Sequence, residues 1–358
     1  MGYDDGDVHD APRTWSAQQR HALIAALAPM LPADALLSDE EDLRPFECDG
    51  LSAYRRLPVA VVLPDSIDQV QAVMRLCHER RVPVIARGAG TGLSGGALPR
   101  EDAVVLSLAK FNRILHIDPV SRTARVQPGV RNLAVSEAAA PYGLYYAPDP
   151  SSQIACTIGG NVAENAGGVH CLKYGLTVHH LLRLVVVTAE GERVVIGGEA
   201  LDSPGYDLLA LMTGSEGMLG VIVEATLKLL PLPEHTRTLL AAFDDVGRAA
   251  DAVAAIIGAG IVPAGLEMMD QLAIRAAEDY VHAGYPVTAQ AILLCEVDGA
   301  EEDAADQMRR VEAIVRDCGA TEQRIAADAA QRLIFWKGRK AAFPAVGRLA
   351  PDYYCMDG

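Results

Sequence analysis

The chain is short of positive charge. Lys and Arg number 31 against 47 Asp and Glu, a formal net charge of −16 over 358 residues, with no basic stripe. That argues against nucleic acid or an anionic membrane surface as the main partner, because both are held by clustered cations. Patterned cysteine is also lacking: Cys48, Cys77, Cys156, Cys171, Cys295, Cys318 and Cys355 are scattered and never spaced C-x-x-C. Such spacing builds neither a zinc knuckle nor an iron-sulfur cluster, and it points to a reducing compartment. No apolar run approaches the roughly 20 residues of a membrane-spanning helix, and the acidic start MGYDDGDVHDAPRTW has no signal-peptide core. A soluble, cytoplasmic chain is expected. The histidines (His9, His21, His78, His116, His170, His179, His180, His235, His282) show no metal-ligand spacing. His179 and His180 cannot both reach one ion from regular structure and read as structural, so no metal site is expected.

Half of the residues are apolar, and the length suggests two domains, with three as the upper count, whose cores need no disulfides. Ser16 and Gln19 form an S-x-x-Q capping box opening a helix to about Leu31, with Leu23, Leu27 and Met30 at helical spacing. LPVAVVLP (57–64) is a short buried strand. Ser66-Ile67-Asp68-Gln69 is a second capping box, its helix striped by Ile67, Val70, Val73, Met74 and Cys77. Residues 83–87 are the next strand, completing a β-α-β unit. Strands at 103–108, 113–117 and 123–129, a helix near 130–140, and a hairpin turning at Glu190-Gly191 complete a mostly β region. Pro231 and Pro233 mark a change. Beyond them, strands TRTLLAAF, VPAGLEMM, QAILLCEV and TEQRIA alternate with helices at about 246–258, 269–283 and 300–318. One last helix runs from Asp328 to about Phe343. This skeleton is ferredoxin-like with an added helix.

The strongest local signal is R-G-A-G-T-G-L-S-G-G at 87–96, five glycines directly after a buried strand. Glycine permits positive φ and lets successive N–H groups wrap a polyanion. Gly90, Gly92 and Gly95 satisfy G-x-G-x-x-G, yet a Rossmann site requires a helix to follow. Here ALPRED and a strand follow instead, and Lys110 and Phe111 stand near the place of the expected acidic residue. Two more glycine-rich passages, APDPSSQIACTIGGNVAENAGGVHCLKYG (147–175) and TGSEGMLGVI (213–222), interleave small hydroxyl and amide residues with glycine. That composition suits close backbone approach to a flat, hydrogen-bonding ligand. The blander reading is a pair of long surface loops.

Taken together, R-G-x-G-T-x-x-x-G, P-D-P-S-S with T-I-G-G-N and K-Y-G, and G-S-E-G-x-L-G-V-I resemble the FAD-binding domain of the vanillyl-alcohol oxidase / p-cresol methylhydroxylase superfamily. Within it the sequence is most similar to the FAD-linked glycolate oxidase branch, which also holds D-lactate and D-2-hydroxyglutarate dehydrogenases. The resemblance implies an α+β fold: a PCMH-type FAD-binding domain of two α/β subdomains, then a ferredoxin-like cap. The expected division is an N-terminal helical arm (1–50), the FAD-binding domain (51–232) and an incomplete cap (233–358).

The resemblance also implies a site. Arg87, Gly88, Ala89, Gly90, Thr91, Gly92, Leu93, Ser94 and Gly95 would wrap the FAD pyrophosphate. Pro148, Asp149, Ser152, Thr157, Ile158, Gly159, Gly160, Asn161, Asn165 and Gly168 would line the isoalloxazine and ribityl chain. Glu216, Gly220, Val221 and Ile222 would present backbone to the flavin. Covalent relatives carry His where Thr91 stands here, and a hydroxyl cannot make that bond, so noncovalent FAD is expected; Cys156 and Cys171 are the thioether alternatives. Arg339 in FWKGRKAAF sits where the family places its substrate-carboxylate arginine, in the catalytic machinery, against the plain alternative of a solvated helix face with Lys337 and Lys340. Tyr354 follows in PDYYCMD. The implied activity is oxidation of a small 2-hydroxy acid, glycolate or D-lactate in type, by hydride transfer to flavin N5. Electrons would pass to an iron-sulfur subunit, a second flavin subunit or a quinone-linked acceptor, with peripheral attachment to the inner membrane through such partners. No histidine stands out as the base; the family's H-G-H-x-G-D-G-N-type motif lies beyond Gly358. The competing expectation is a noncatalytic FAD-binding fragment.

Overall fold

The computed structural model describes residues 14–198 and 205–350; Tyr354, Cys355 and the PDYYCMD segment lie outside them. Helix α1 (Ala17–Leu27) opens with the expected reciprocal box: Ser16 Oγ accepts from Gln19 N, and Ser16 N donates to Gln19 Oε1. It buries Leu23 and Leu27. Strand β1 (Leu36–Leu37), helix α2 (Glu40–Leu43), β2 (Ala60–Val62), α3 (Ile67–Arg80), β3 (Val84–Arg87) and β4 (Val104–Ser107) follow. They form a sheet ordered β1-β2-β4-β3, with β4 parallel to and between β2 and β3. The capping box expected at Ser66 does not form. Gln69 Oε1 turns one residue further back and accepts from Asp65 N at 2.8 Å, so the reciprocal serine bond is absent and Ser66 caps by backbone alone. Burial of Val70, Val73, Met74, Leu76 and Cys77 on one face anchors α3 regardless.

Next come β5 (Ile114–Asp118), β6 (Thr123–Val126), α4 (Asn132–Ala139), β7 (Leu144–Tyr145), α5 (Ile158–Glu164), α6 (Cys171–Tyr174), β8 (Leu181–Val187), β9 (Arg193–Gly197), α7 (Leu208–Met212), β10 (Val221–Lys228) and β11 (Leu230–Pro231). An antiparallel sheet ordered β5-β6-β10-β8-β9 results, while β7 pairs with β11. Alternation along β8 and β10 divides their side chains between two cores. Val185, Val187, Val221 and Val223 pack with α1 and α3; Leu184, Val186 and Ile222 pack with Val135 of α4 and with Ile158 and Val162 of α5. The passage at 147–175, loop-like in sequence, thus contains two short helices. Gly159 makes α5 possible: it sits on Pro128, where a Cβ would lie 2.6 Å from the proline ring.

The remaining elements are β12 (His235–Phe243), α8 (Val246–Gly258), β13 (Gly265–Asp270), α9 (Gln271–Val281), β14 (Ala291–Gly299), α10 (Glu301–Asp317), β15 (Glu322–Ile325), α11 (Ala329–Lys340) and α12 (Ala342–Val346). The sheet runs β13-β14-β12-β15, antiparallel throughout, which is the ferredoxin-like order. Helices cover both faces. Alternate residues of β12 and β14 (Leu239, Ala241, Leu293, Cys295) meet α8 and α10, while Leu240, Ala242, Ile292 and Leu294 meet α9 and α11. The single last helix expected from the sequence is broken at Ala341. Pro344 supplies no N–H, and its ring conflicts with the carbonyl four residues back, so α11 cannot continue.

Candidate flavin and substrate site

Strand β3 delivers the first glycine loop, and Arg87 at its end turns back to brace it. Arg87 Nη1 donates to Cys48 O at 2.7 Å and Ala97 O at 3.3 Å, and the guanidinium lies over the Phe46 ring. Gly90, at φ +68°, passes so close to that guanidinium that a Cβ there would overlap it. On its other side the loop presses Gly88 onto Thr157, where a Cβ would overlap Thr157 Oγ1. That hydroxyl is buried and makes no hydrogen bond. Its residue is one of those lining a cleft of about 480 Å³, with Gly88, Ala89, Asn112, Gly129 and Arg131 among the others. Backbone brought close by glycine, an orphaned hydroxyl and one cation are the complement a diphosphate linker needs, so the residues present fit the expected dinucleotide. The other flank of the loop is acidic. A Cβ on Gly96 would lie 2.6 Å from Glu164 Oε1 and 3.8 Å from Glu216 Oε2. Burial, then the charges of Glu216 and Asp49, hold the Glu164 carboxyl above its ordinary range. A phosphate is favoured on the Arg131 side, not against this carboxylate.

Several nominated side chains already make contacts inside the protein. Asn161 takes a hydrogen bond from Asn132 Nδ2 and donates to Cys156 Sγ. Asn165, left-handed at φ 48° as the C-cap of α5, accepts from Val178 N. Gly168 packs so tightly on Asp149 that no Cβ fits. Val221 and Ile222 are buried in opposite cores, and Gly220 (φ 151°) abuts Val186 and the Val187 carbonyl. Of the residues nominated in the first loop, Ser94 stands exposed and Leu93 packs near Gly50. Cys156 is buried and desolvation raises its thiol, which leaves little thiolate for attachment to a flavin. His180 is buried with Nε2 on the Tyr174 carbonyl, and His179 Nδ1 accepts from Leu176 N, so both are structural. Arg131, Asn112 and Gly129, which line the cleft, follow strands rather than sit in a glycine-rich motif, and motif reading passed over them.

A second constellation, also missed, lies where the 147–175 passage meets the cap sheet. His170 Nδ1 is 2.9 Å from Asp149 Oδ2, and its Nε2 is 3.1 Å from Glu296 Oε1 on β14. Glu296 Oε2 accepts from Thr238 Oγ1 and Trp336 Nε1, both at 2.6 Å, and Lys340 Nζ donates to Asp149 Oδ2 at 2.9 Å. Burial alone would lower the His170 pKa, but the hydrogen bonds and charges of Asp149 and Glu296 outweigh it and raise the value to about 9. Burial would likewise raise both carboxyls, whereas His170, with Lys340 at Asp149 and with Thr238 and Trp336 at Glu296, holds them below their ordinary range. His170 is therefore an imidazolium at neutral pH with both ring nitrogens engaged, a fixed charge rather than a base. One turn along, Lys173 and Tyr174 of α6 bind Asp298. A sequence signal existed: Glu296 and Asp298 continue, at every second residue, the buried face of Ile292 and Leu294.

Arg339 sits on α11, one residue before Lys340. Its Nε and Nη2 both reach Glu267 Oε2 on β13, at 3.0 and 2.8 Å, while Nη1 makes no hydrogen bond to the described residues. Neither Arg339 nor Lys340 belongs to a solvated face; only Lys337 of the three is exposed.

A glycine loop that brings backbone to an orphaned hydroxyl and a cation, in a two-sheet domain closed by a ferredoxin-like cap, defines an FAD-binding flavoprotein. Residues 58–197 match the family model described as FAD binding domain, and residues 232–358 the one described as FAD linked oxidases, C-terminal domain. The chain belongs to this family of FAD-linked oxidoreductases. It is 62% identical to "Glycolate oxidase subunit GlcD" of Escherichia coli (strain K12) over 354 residues, 99% of this chain and 70% of that protein. It is 34% identical to "D-lactate dehydrogenase" of Anaerostipes hadrus, covering 90% of this chain and 70% of that one. Among solved structures, p-cresol methylhydroxylase with substrate bound superposes with a TM-score of 0.75 at 18% identity, covering 92% of this chain and 70% of that one, a likeness of fold. Among the described residues, no three His, Cys, Asp or Glu side chains group as a metal site, and no helix is long and apolar enough to cross a membrane.

Proposed function

We propose that this chain oxidises a small 2-hydroxy acid of the glycolate or D-lactate type, with FAD held noncovalently by residues 51–232 and substrate held by residues 233–358. The observation that carries the reading is the placement of Arg339. Its helix is fastened by the neighbouring Lys340 to Asp149, inside the P-D-P-S-S segment expected to line the flavin. Glu267 occupies one edge of the guanidinium, so the Nη1 side remains for a substrate carboxylate, which a planar arginine fork recognises better than a lysine. When bound, FAD supplies a two-electron acceptor for the hydrogen on the substrate α-carbon. Residues that would hold it are the loop backbone at Gly88 and Ala89, the Thr157 hydroxyl and Arg131. Thr91 and the buried Cys156 both support a cofactor without a covalent bond to the protein.

Electrons would pass to a partner protein, an iron-sulfur or second flavin subunit of a glycolate oxidase complex or a quinone-linked acceptor, with attachment to the inner membrane made through it. This part of the reading is supported by the name of the E. coli relative, a subunit. The test is anaerobic addition of glycolate or D-lactate to the FAD-loaded protein. Bleaching of the flavin absorbance is expected with the native chain and at least 100-fold slower bleaching with Arg339→Ala. A protein that takes up no FAD, a flavin that stays oxidised, or an Arg339→Ala variant that reduces at the native rate overturns it.

A further inference from the structure

Trp336 and Lys340 lie four residues apart on α11 and therefore share a face. Each ends in the same buried network, by a different route. Trp336 Nε1 donates to Glu296, whose other oxygen faces His170, whose second nitrogen faces Asp149. Lys340 reaches Asp149 directly. The two routes and the helix between them close a ring: α11, Trp336, Glu296, His170, Asp149, Lys340 and α11 again. Every carboxylate oxygen in it is occupied, since Asp149 Oδ1 also accepts from His170 N and Glu296 Oε2 also accepts from Thr238. Two anions, one imidazolium and one ammonium balance. A satisfied, buried, charge-neutral ring is costly to distort, because breaking any link strands a charge in a poorly solvated place. Arg339 sits within the span of helix that this ring fixes, between the two anchors.

We infer that the Asp149–His170–Glu296 ring, acting through Trp336 and Lys340, is a positioning device that sets Arg339 against the flavin-lining segment, so that Lys340 and Trp336 are positioning residues for substrate-carboxylate binding. The inference rests on the reading of Arg339 as the carboxylate anchor. Glu267 fixes the guanidinium within the cap; the ring fixes the helix carrying it across the cap boundary. Neither function follows from α11 alone, whose arginine and lysine would otherwise extend into solvent.

The experiment uses oxalate, a two-carbon dicarboxylate with no hydrogen to transfer, titrated into the FAD-loaded protein and followed by perturbation of the flavin spectrum. FAD affinity is measured separately by fluorescence. Lys340→Met should weaken oxalate about tenfold to a hundredfold while FAD affinity changes less than twofold. Lys340→Arg, which can keep the ion pair, should recover most of the loss. Trp336→Phe, which removes the N–H together with the pyrrole half of the indole, should weaken oxalate in the same direction and serves if Lys340→Met fails to fold. The Asp149→Asn, Lys340→Met double variant should bind oxalate about as the weaker single does. Arg339→Ala is the control for the underlying reading. If it leaves oxalate binding intact, the carboxylate assignment falls. If it abolishes binding while Lys340→Met and Trp336→Phe bind oxalate as the native protein does, the positioning ring alone falls.

Discussion

Protonation of His170 should be visible as a pH-dependent contribution to stability, and its size follows from the geometry. The imidazole is mostly buried between two carboxylates, and its pKa stands at about 9 against an ordinary value of 6.5. Because the folded value is raised, the contribution is full below the unfolded pKa and disappears as pH rises through the folded one. At roughly 1.36 kcal/mol per unit, this amounts to about 3 kcal/mol at pH 6, falling to under about 0.5 kcal/mol at pH 9. Asp149 and Glu296 work in the opposite sense. Their folded pKa values are lowered, so what they contribute is present above the ordinary carboxyl range and is lost on acidification. Stability should therefore have a plateau bounded by the carboxylates on the acid side and by His170 on the alkaline side. Urea denaturation of the native protein and of His170→Gln, at half-unit steps from pH 6 to pH 10, isolates the histidine. The difference between the two unfolding free energies should be largest near pH 6 and shrink by about 3 kcal/mol toward pH 10. A difference that does not change with pH would refute the imidazolium and, with it, the charge balance of the ring.

Other perturbations follow from packing. Gly88→Ala should cost at least 100-fold in FAD affinity, because the added methyl enters the space of Thr157 Oγ1. Adding Thr157→Ala should return part of that loss, measured by the fluorescence of free FAD; no recovery would mean that the glycine serves another contact. Gly338→Ala drives a methyl into the Tyr285 ring, whose hydroxyl donates to Phe335 O, and should lower unfolding stability by about 1–3 kcal/mol. Cys77 and Cys295, buried and pushed up to about 12, should resist a maleimide in the native protein, whereas partly exposed Cys48, Cys171 and Cys318 should react before those two; mass spectrometry of a short labelling time course reads the order.

Much of the fold was legible because it is written in local periodicity. The stripe of α3, the S-x-x-Q box of α1 and the β-α-β spacing of residues 57–87 all depend on neighbours a few residues apart. The second capping box failed because two amides, at Asp65 and at Ser66, lie within reach of one glutamine carboxamide, and only the three-dimensional approach chooses between them. Arg87 could be read as a ligand for phosphate, yet its Nη1 braces the loop, donating to the Cys48 and Ala97 carbonyls, which lie 39 and 10 residues away in the chain. Likewise Asn161 and Asn165, polar residues in a glycine-rich passage, serve buried hydrogen bonds that no motif records.

The sequence by itself determined that glycine-rich backbone follows a buried strand, where five glycines allow a close approach that larger residues forbid, and its three motifs together carry the resemblance to an FAD-binding domain. It also put Arg339, the arginine proposed to bind the substrate carboxylate, on a helix after residue 328. What only the tertiary structure decided is how that helix meets the Asp149 segment. Asp149, His170 and Glu296 are separated by 21 and 126 residues, and their charges have meaning only together. Two buried carboxylates are destabilising until an imidazolium at the start of α6 and an ammonium at the end of α11 neutralise them.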